Sequence, residues 1–143
     1  MMKAAMEGLT AGGEKRPILL AVTILTSIDE ESLHGDMLIG ASVKDTVIHY
    51  AKNAADSGLD GVVCSPLEAA TVHEACGSGF LTVTPGVRFA DGDVGDQKRI
   101  MTPADANRAG SDYIVVGRPI TAAKDPEAAY RRCIEEFTSD IIA

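Results

Sequence analysis

The sequence predicts an α/β fold in which four successive strand-then-helix units carry one parallel sheet. Two observations predict it. Four short stretches, 18–25, 61–64, 80–84 and 113–116, are apolar and rich in β-branched residues, the composition of strands covered on both faces. Between them lie segments of helical periodicity, opened by capping residues and closed by glycine, and strands that alternate with helices imply parallel pairing through right-handed crossovers.

Met1 to Leu9 reads as a short helix with Met2, Ala5, Met6 and Leu9 on one side, closed by Gly12-Gly13 and lacking any cap in front. Ile18 to Leu25 is the first strand, with Thr26 and Ser27 at its carboxyl end. Ser42-Val43-Lys44-Asp45 resembles a capping box. It opens a helix whose apolar residues Val43, Val47, Ile48 and Ala51 recur at helical spacing until Gly58. Gly61 to Cys64 is the second strand. Ser65-Pro66-Leu67-Glu68 then supplies an N-cap, a proline at the first helical position and a capping glutamate for a helix reaching about Cys76.

Phe80 to Thr84 is the third strand and ends in Pro85-Gly86-Val87-Arg88, followed by a polar segment from Phe89 to Met101 that is long for a βα loop. Thr102-Pro103-Ala104-Asp105 opens a helix that Gly110 ends, and Tyr113 to Val116 is the fourth strand. Asp125-Pro126 starts the last helix, with Ala129, Cys133, Ile134 and Phe137 on its buried side. An internal echo links Gly58-Leu59-Asp60 before one strand to Gly110-Ser111-Asp112 before another.

Composition bounds the function. The 143 residues, 45% hydrophobic, suit one compact domain. A net charge of −8 with scattered basic residues excludes an electrostatic footprint for nucleic acid or for an anionic membrane. No apolar run is long enough to span a membrane. Cys64, Cys76 and Cys133 are odd in number and lack metal-ligand spacing, so reduced thiols in a cytoplasmic protein are expected. His34, His49 and His73 are too dispersed for a metal triad, and His49 and His73 read as helix-surface residues. Asp91 to Asp96 lacks the later ligands of a calcium loop and reads as a solvated acidic loop. Cys64 has no evident histidine partner and reads as a small packing residue.

Three features fall at the carboxyl ends of expected strands and therefore share one rim of the sheet: Thr26-Ser27, Pro85-Gly86-Val87-Arg88 and Gly117-Arg118. Pro119 to Ala123 suits the short extra helix that builds phosphate sites in (β/α)8 barrels, where free amides and the fork of Arg118 would meet the same anion. The residues alone leave two readings of Gly117-Arg118 open, a phosphate grip or an ordinary strand end with a solvated arginine. Phe89 to Met101 is likewise a lid over a ligand or a solvated loop.

The segments 20–27, 58–65, 83–88, 95–99 and 116–120 resemble, in order and over nearly the whole chain, those of the orotidine 5'-monophosphate decarboxylase family. The resemblance implies a (β/α)8-barrel enzyme of pyrimidine (UMP) biosynthesis that needs no cofactor and takes a nucleotide monophosphate, orotidine or uridine 5'-phosphate. Carried over by position, Arg118 and Gln97 would contact the phosphate with help from the Gly117 amide. Ser27 would hydrogen-bond the pyrimidine edge and Pro85 would pack near the base. The family's catalytic lysines and aspartates follow an Asp-x-Lys-x-x-Asp pattern on the first half of the barrel. No such pattern stands here, and the lysines at 3, 15, 44, 52, 98 and 124 all fall in expected helices or loops.

What the resemblance covers is strands five to eight, the carboxyl-terminal half of a (β/α)8 (TIM) barrel. Residues 1–143 are then a single half-barrel domain, with 1–12 a remnant of the family's fourth helix and the four βα units within 18–143. Such a chain is expected to be inactive alone. The alternative is a non-catalytic phosphate-binding or structural half-barrel module. A half-barrel leaves two strand edges and an apolar interior uncovered, so a homodimer is expected in which the first strand of one chain pairs with the last strand of the other.

Overall fold

The computed structural model describes residues 1–11, 15–92 and 99–139. The elements are α1 (Met2–Thr10), β1 (Leu20–Val22), α2 (Glu30–Gly35), α3 (Val43–Asp56), β2 (Gly61–Val63), a 3-10 turn (Pro66–Glu68), α4 (Ala69–Cys76), β3 (Leu81–Thr84), α5 (Pro103–Arg108), β4 (Tyr113–Ile114), α6 (Arg118–Thr121) and α7 (Pro126–Thr138). The four strands form one parallel sheet in the order β1-β2-β3-β4. This is the half-barrel arrangement of four βα units that the sequence predicts. The expected Gly12-Gly13 break lies outside the described residues.

All four strands are shorter than their apolar runs, β2 and β3 by one residue each. β1 holds only Leu20–Val22 of the expected 18–25, because its one neighbour is β2 and Ile18 and Leu25 stand outside the ladder, each about three-fifths exposed. β4 holds Tyr113–Ile114, with one further bond from Val115 N–H to the Thr84 carbonyl at 3.0 Å. Helix α2 goes beyond the sequence expectation. Asp29 starts it by accepting the Ser32 N–H at 3.0 Å, and Leu33 is fully buried beneath it.

The core lies between the sheet and helices α3 and α4, where Val47, Ala51, Ala54, Val62 and Val72 are completely buried. The opposite face is open. Val22, Val63, Val83 and Tyr113 are partners in register across the four strands and so share that face. Val22 and Tyr113 at its two edges are 60% and 54% exposed, which leaves an apolar surface bounded by two unpaired strand edges.

The internal echo has a structural counterpart. Gly58 and Gly110 end α3 and α5 with φ of +83° and +87°, a conformation that favours glycine. Two residues later, Asp60 accepts the Leu19 N–H and Asp112 accepts the Thr82 N–H, both at 2.7 Å. The preceding helices also open alike. Ser42 and Thr102 each accept the amide of Asp45 or Asp105 and donate their hydroxyl to that aspartate's carboxylate at 2.7 Å.

Two expectations about burial need correction, His73 as a surface residue and Ile134 as a buried one. His73 is tied into the structure: its Nε2 lies 3.1 Å from the Gly110 carbonyl and 3.3 Å from Asp112, because α4 packs over the entrances to β3 and β4. Ile134 stands 44% exposed, while its neighbour Cys133 is buried. The inner face of α7 therefore runs through Cys133.

Candidate functional site

The rim at the carboxyl ends of the strands is shaped by a tight turn after β3. Gly86 adopts φ of +83°, and a Cβ there would stand 3.0 Å from the Arg99 carbonyl and 3.3 Å from the Thr26 side chain. Only glycine lets the Pro85–Arg88 turn pass this close to the end of β1. Beyond the turn, Arg88 N–H bonds the Met101 carbonyl at 3.0 Å, and the Arg88 guanidinium folds back to the Val87 carbonyl at 2.8 Å.

These features enclose a cleft of about 400 Å³ lined by Val22, Ile24, Leu25, Thr26, Ser27, Val63, Pro85, Gly86, Arg88, Val115, Gly117 and Arg118. Ser27, Pro85, Gly117 and Arg118 come from the ends of three different strands, and the fold brings all four to this one cleft. Gln97, the fifth expected site residue, lies outside the described residues, as does most of the Asp91–Asp96 acidic loop. The cleft is apolar on its sheet floor, and two arginines, Arg88 and Arg118, are among its lining residues. Among the described residues no lysine or carboxylate lines it. It is therefore equipped to receive a compact ligand with a flat apolar body and an anionic end.

A second cavity of about 390 Å³ adjoins the first, sharing Arg88 and Arg118 and adding Phe89, Asp91, Gly92, Pro119, Ala122 and Arg132. Arg132 of α7 lies over the Phe89 ring, 4.2 Å from its centroid, and pairs with Asp91 and Glu136. Beside this guanidinium the Asp91 carboxyl is held below its usual range. The first part of the long loop is thus tied to the last helix.

Beneath the cleft sits a buried ion pair between Arg99 and Glu68. Burial pushes the Glu68 carboxyl up, against the opposing pull of Arg99 and of the Ser65 N–H, which Glu68 accepts at 3.0 Å. Sequence reasoning placed Arg88 and Thr26 on the rim without naming them as site residues, and it did not anticipate the buried pairing of Arg99 with Glu68. The signal was available for Arg88, since a second arginine stood at the end of a second strand. Among the described residues no group of His, Cys, Asp or Glu is arranged to hold a metal ion, and no helix is long and apolar enough to cross a membrane.

Residues 1–133 match the model of the orotidine 5'-phosphate decarboxylase / HUMPS family. The orotidine 5'-phosphate decarboxylase of Geobacillus sp. (strain WCH70) is 50% identical over 143 residues, covering 98% of this chain and 60% of the relative. That of Bacillus caldolyticus is 55% identical over 140 residues, covering 96% of this chain and 57% of the relative. The crystal structure of orotidine 5'-phosphate decarboxylase from Lactobacillus acidophilus superposes with a TM-score of 0.77 at 46% identity, over 96% of this chain and 58% of that one. The chain thus spans about three-fifths of the length of the relatives it matches.

Proposed function

The chain belongs to the orotidine 5'-phosphate decarboxylase / HUMPS family, and from that premise we propose that it is the nucleotide-binding half of a decarboxylase site in cytoplasmic pyrimidine biosynthesis. Its ligand is a pyrimidine nucleoside monophosphate, orotidine or uridine 5'-phosphate. Arg118 and the Gly117 amide take the phosphate together with Gln97, Ser27 meets the pyrimidine edge, and Pro85 packs against the base. Arg88, buried and lining the same cleft, brings a second positive charge near it.

One observation carries this reading: Ser27, Pro85, Gly117 and Arg118 line a single cleft at the strand ends. A second observation supports inactivity of the chain by itself. Decarboxylation needs a group to protonate the carbanion left behind, and among the described residues neither a lysine nor a carboxylate lines the cleft. The open sheet face and the two unpaired edges favour assembly, and a twofold homodimer that joins β1 of one copy to β4 of the other covers both.

Titration of the purified chain with uridine 5'-phosphate, followed by amide NMR shifts, tests the binding claim. Shifts are expected at Ser27, Gly86 and Gly117, and Arg118→Ala weakens binding about ten-fold or more, the scale of a charge-assisted hydrogen bond. Equal binding by the variant leaves a purely structural module as the better reading. Orotidine 5'-phosphate turnover at enzymic rates by the pure chain would overturn the inactivity claim.

A further inference from the structure

Arg99 touches the ends of three strands at once. Its Nη2 donates to the carbonyls of Ile24 at 3.3 Å and Leu25 at 3.0 Å, and its backbone N–H donates to the Thr26 carbonyl at 3.3 Å, so three consecutive residues at the end of β1 rest on it. Its Nη1 pairs with Glu68, which follows β2, and its carbonyl accepts the Ser65 hydroxyl at 3.4 Å. That same carbonyl would stand 3.0 Å from a Cβ on residue 86, after β3. Arg99 is 9% exposed and Glu68 6%.

Stability alone does not account for such a pair. Two charges taken out of water pay a desolvation cost that an apolar pair of similar volume avoids. An apolar pair cannot, however, donate to Ile24 and Leu25 while holding Glu68. A lysine in place of Arg99 presents a compact ammonium instead of a planar fork and cannot hold that geometry. What the guanidinium provides is a link between the Ile24 and Leu25 carbonyls and Glu68, whose carboxylate caps the Ser65 turn. It thereby holds the Arg99 backbone where its N–H meets Thr26 and its carbonyl meets Ser65 and Gly86.

We propose that Arg99, held in place by Glu68, is a positioning residue of the cleft: it sets where Ser27 and the Pro85-Gly86 turn stand relative to each other without itself touching the ligand. This deepens the nucleotide-binding reading and rests on it for the identity of the ligand, though not for the geometry.

The test compares the parent chain with Glu68→Leu/Arg99→Met, which removes both charges together, and with Arg99→Lys. Two measurements are made: amide hydrogen exchange residue by residue, and titration with uridine 5'-phosphate. The double variant is expected to stay folded, with exchange at Val47 and Val62 unchanged, exchange at Thr26 to Ile28 accelerated about ten-fold, and nucleotide binding weakened by about ten-fold or more. Arg99→Lys is expected to move both readouts in the same direction, and it carries the test if the double variant does not fold. Parent-like exchange at Thr26 to Ile28 overturns the inference. So does faster exchange spread evenly over Val47 and Val62, which marks a purely structural role. If the parent chain itself fails to bind uridine 5'-phosphate, the nucleotide reading falls, and local acceleration at Thr26 to Ile28 still upholds the positioning role.

Discussion

Arg16 grips Asp60 with both arms of its guanidinium, at 2.6 and 2.8 Å, while the same carboxylate accepts the Leu19 N–H at 2.7 Å. The Arg16 hydrogen bonds, and then the Leu19 amide, hold the Asp60 carboxyl down at about 2. Its folded pKa lies below that of an unfolded aspartate, about 3.9. The stabilisation is therefore full above about pH 4 and is lost as pH falls through about 2. Asp60→Asn is expected to be less stable than the parent by about 1–2 kcal/mol at neutral pH, toward the low end because the pair is partly solvated. The gap between the two melting curves should close progressively below pH 4, and a gap that is constant down to pH 2 contradicts the assignment.

The turn after β3 gives a second prediction. Gly86→Ala forces a Cβ into a left-handed conformation and against the Arg99 carbonyl. A loss of about 1–3 kcal/mol in denaturant unfolding is expected, together with altered amide shifts at Thr26. Gly8→Ala, in an exposed helix with nothing within 4 Å of the added methyl, is the control and should be neutral or slightly stabilising.

Cys64 tests the apolar character of the ground under the cleft. It is 1% exposed, and burial, reinforced by the Glu68 charge, pushes its thiol up to about 12. The thiolate is the reactive form, so at pH 8 the native chain should leave Cys64 unalkylated by iodoacetamide while half-buried Cys76 reacts first. Mass mapping after a timed pulse reads this directly. Modification of Cys64 at the rate of a free thiol means that the region opens readily.

The open sheet face makes the homodimer proposal measurable. Tyr113 stands at the β4 edge on that face, 54% exposed. If a second copy covers it, Tyr113→Lys should raise the dimer dissociation constant at least about ten-fold in sedimentation equilibrium, the scale of a charge placed in an apolar interface. The circular dichroism of the monomer should not change. A parent chain that sediments as a monomer at all concentrations sinks the proposal.

Much of the fold was legible because backbone chemistry is local. The caps at Ser42, Ser65, Thr102 and Asp125 all form as their sequence contexts suggest. Strand lengths were not legible. Ile18 and Leu25 are as apolar as true strand residues yet stand outside the ladder, and where pairing stops is set by the neighbouring strand, which no local pattern encodes. Helix α2 was missed because its one buried anchor, Leu33, gives no periodicity. At the site, the converging strand ends could be read from spacing, whereas Arg99 and Glu68 are 31 residues apart and look like ordinary surface charges until the fold buries them. His73 was misread for the same reason, since its partners Gly110 and Asp112 belong to a later unit.

The paired aspartates 60 and 112 bear on how the sheet keeps its alignment. A slip of one residue between strands turns every side chain to the wrong face, and each aspartate guards against it by reaching from the entrance of one strand to an amide of the strand before it. β1 is thereby locked to β2, and β3 to β4. Between β2 and β3 the alignment at the entrance rests on a backbone bond instead, from Leu81 N–H to the Asp60 carbonyl at 2.9 Å. The four-stranded sheet thus carries a side-chain lock within each outer pair of strands, while its central pair is aligned by main-chain bonds and by Gly61, where a Cβ would run into the Leu81 carbonyl.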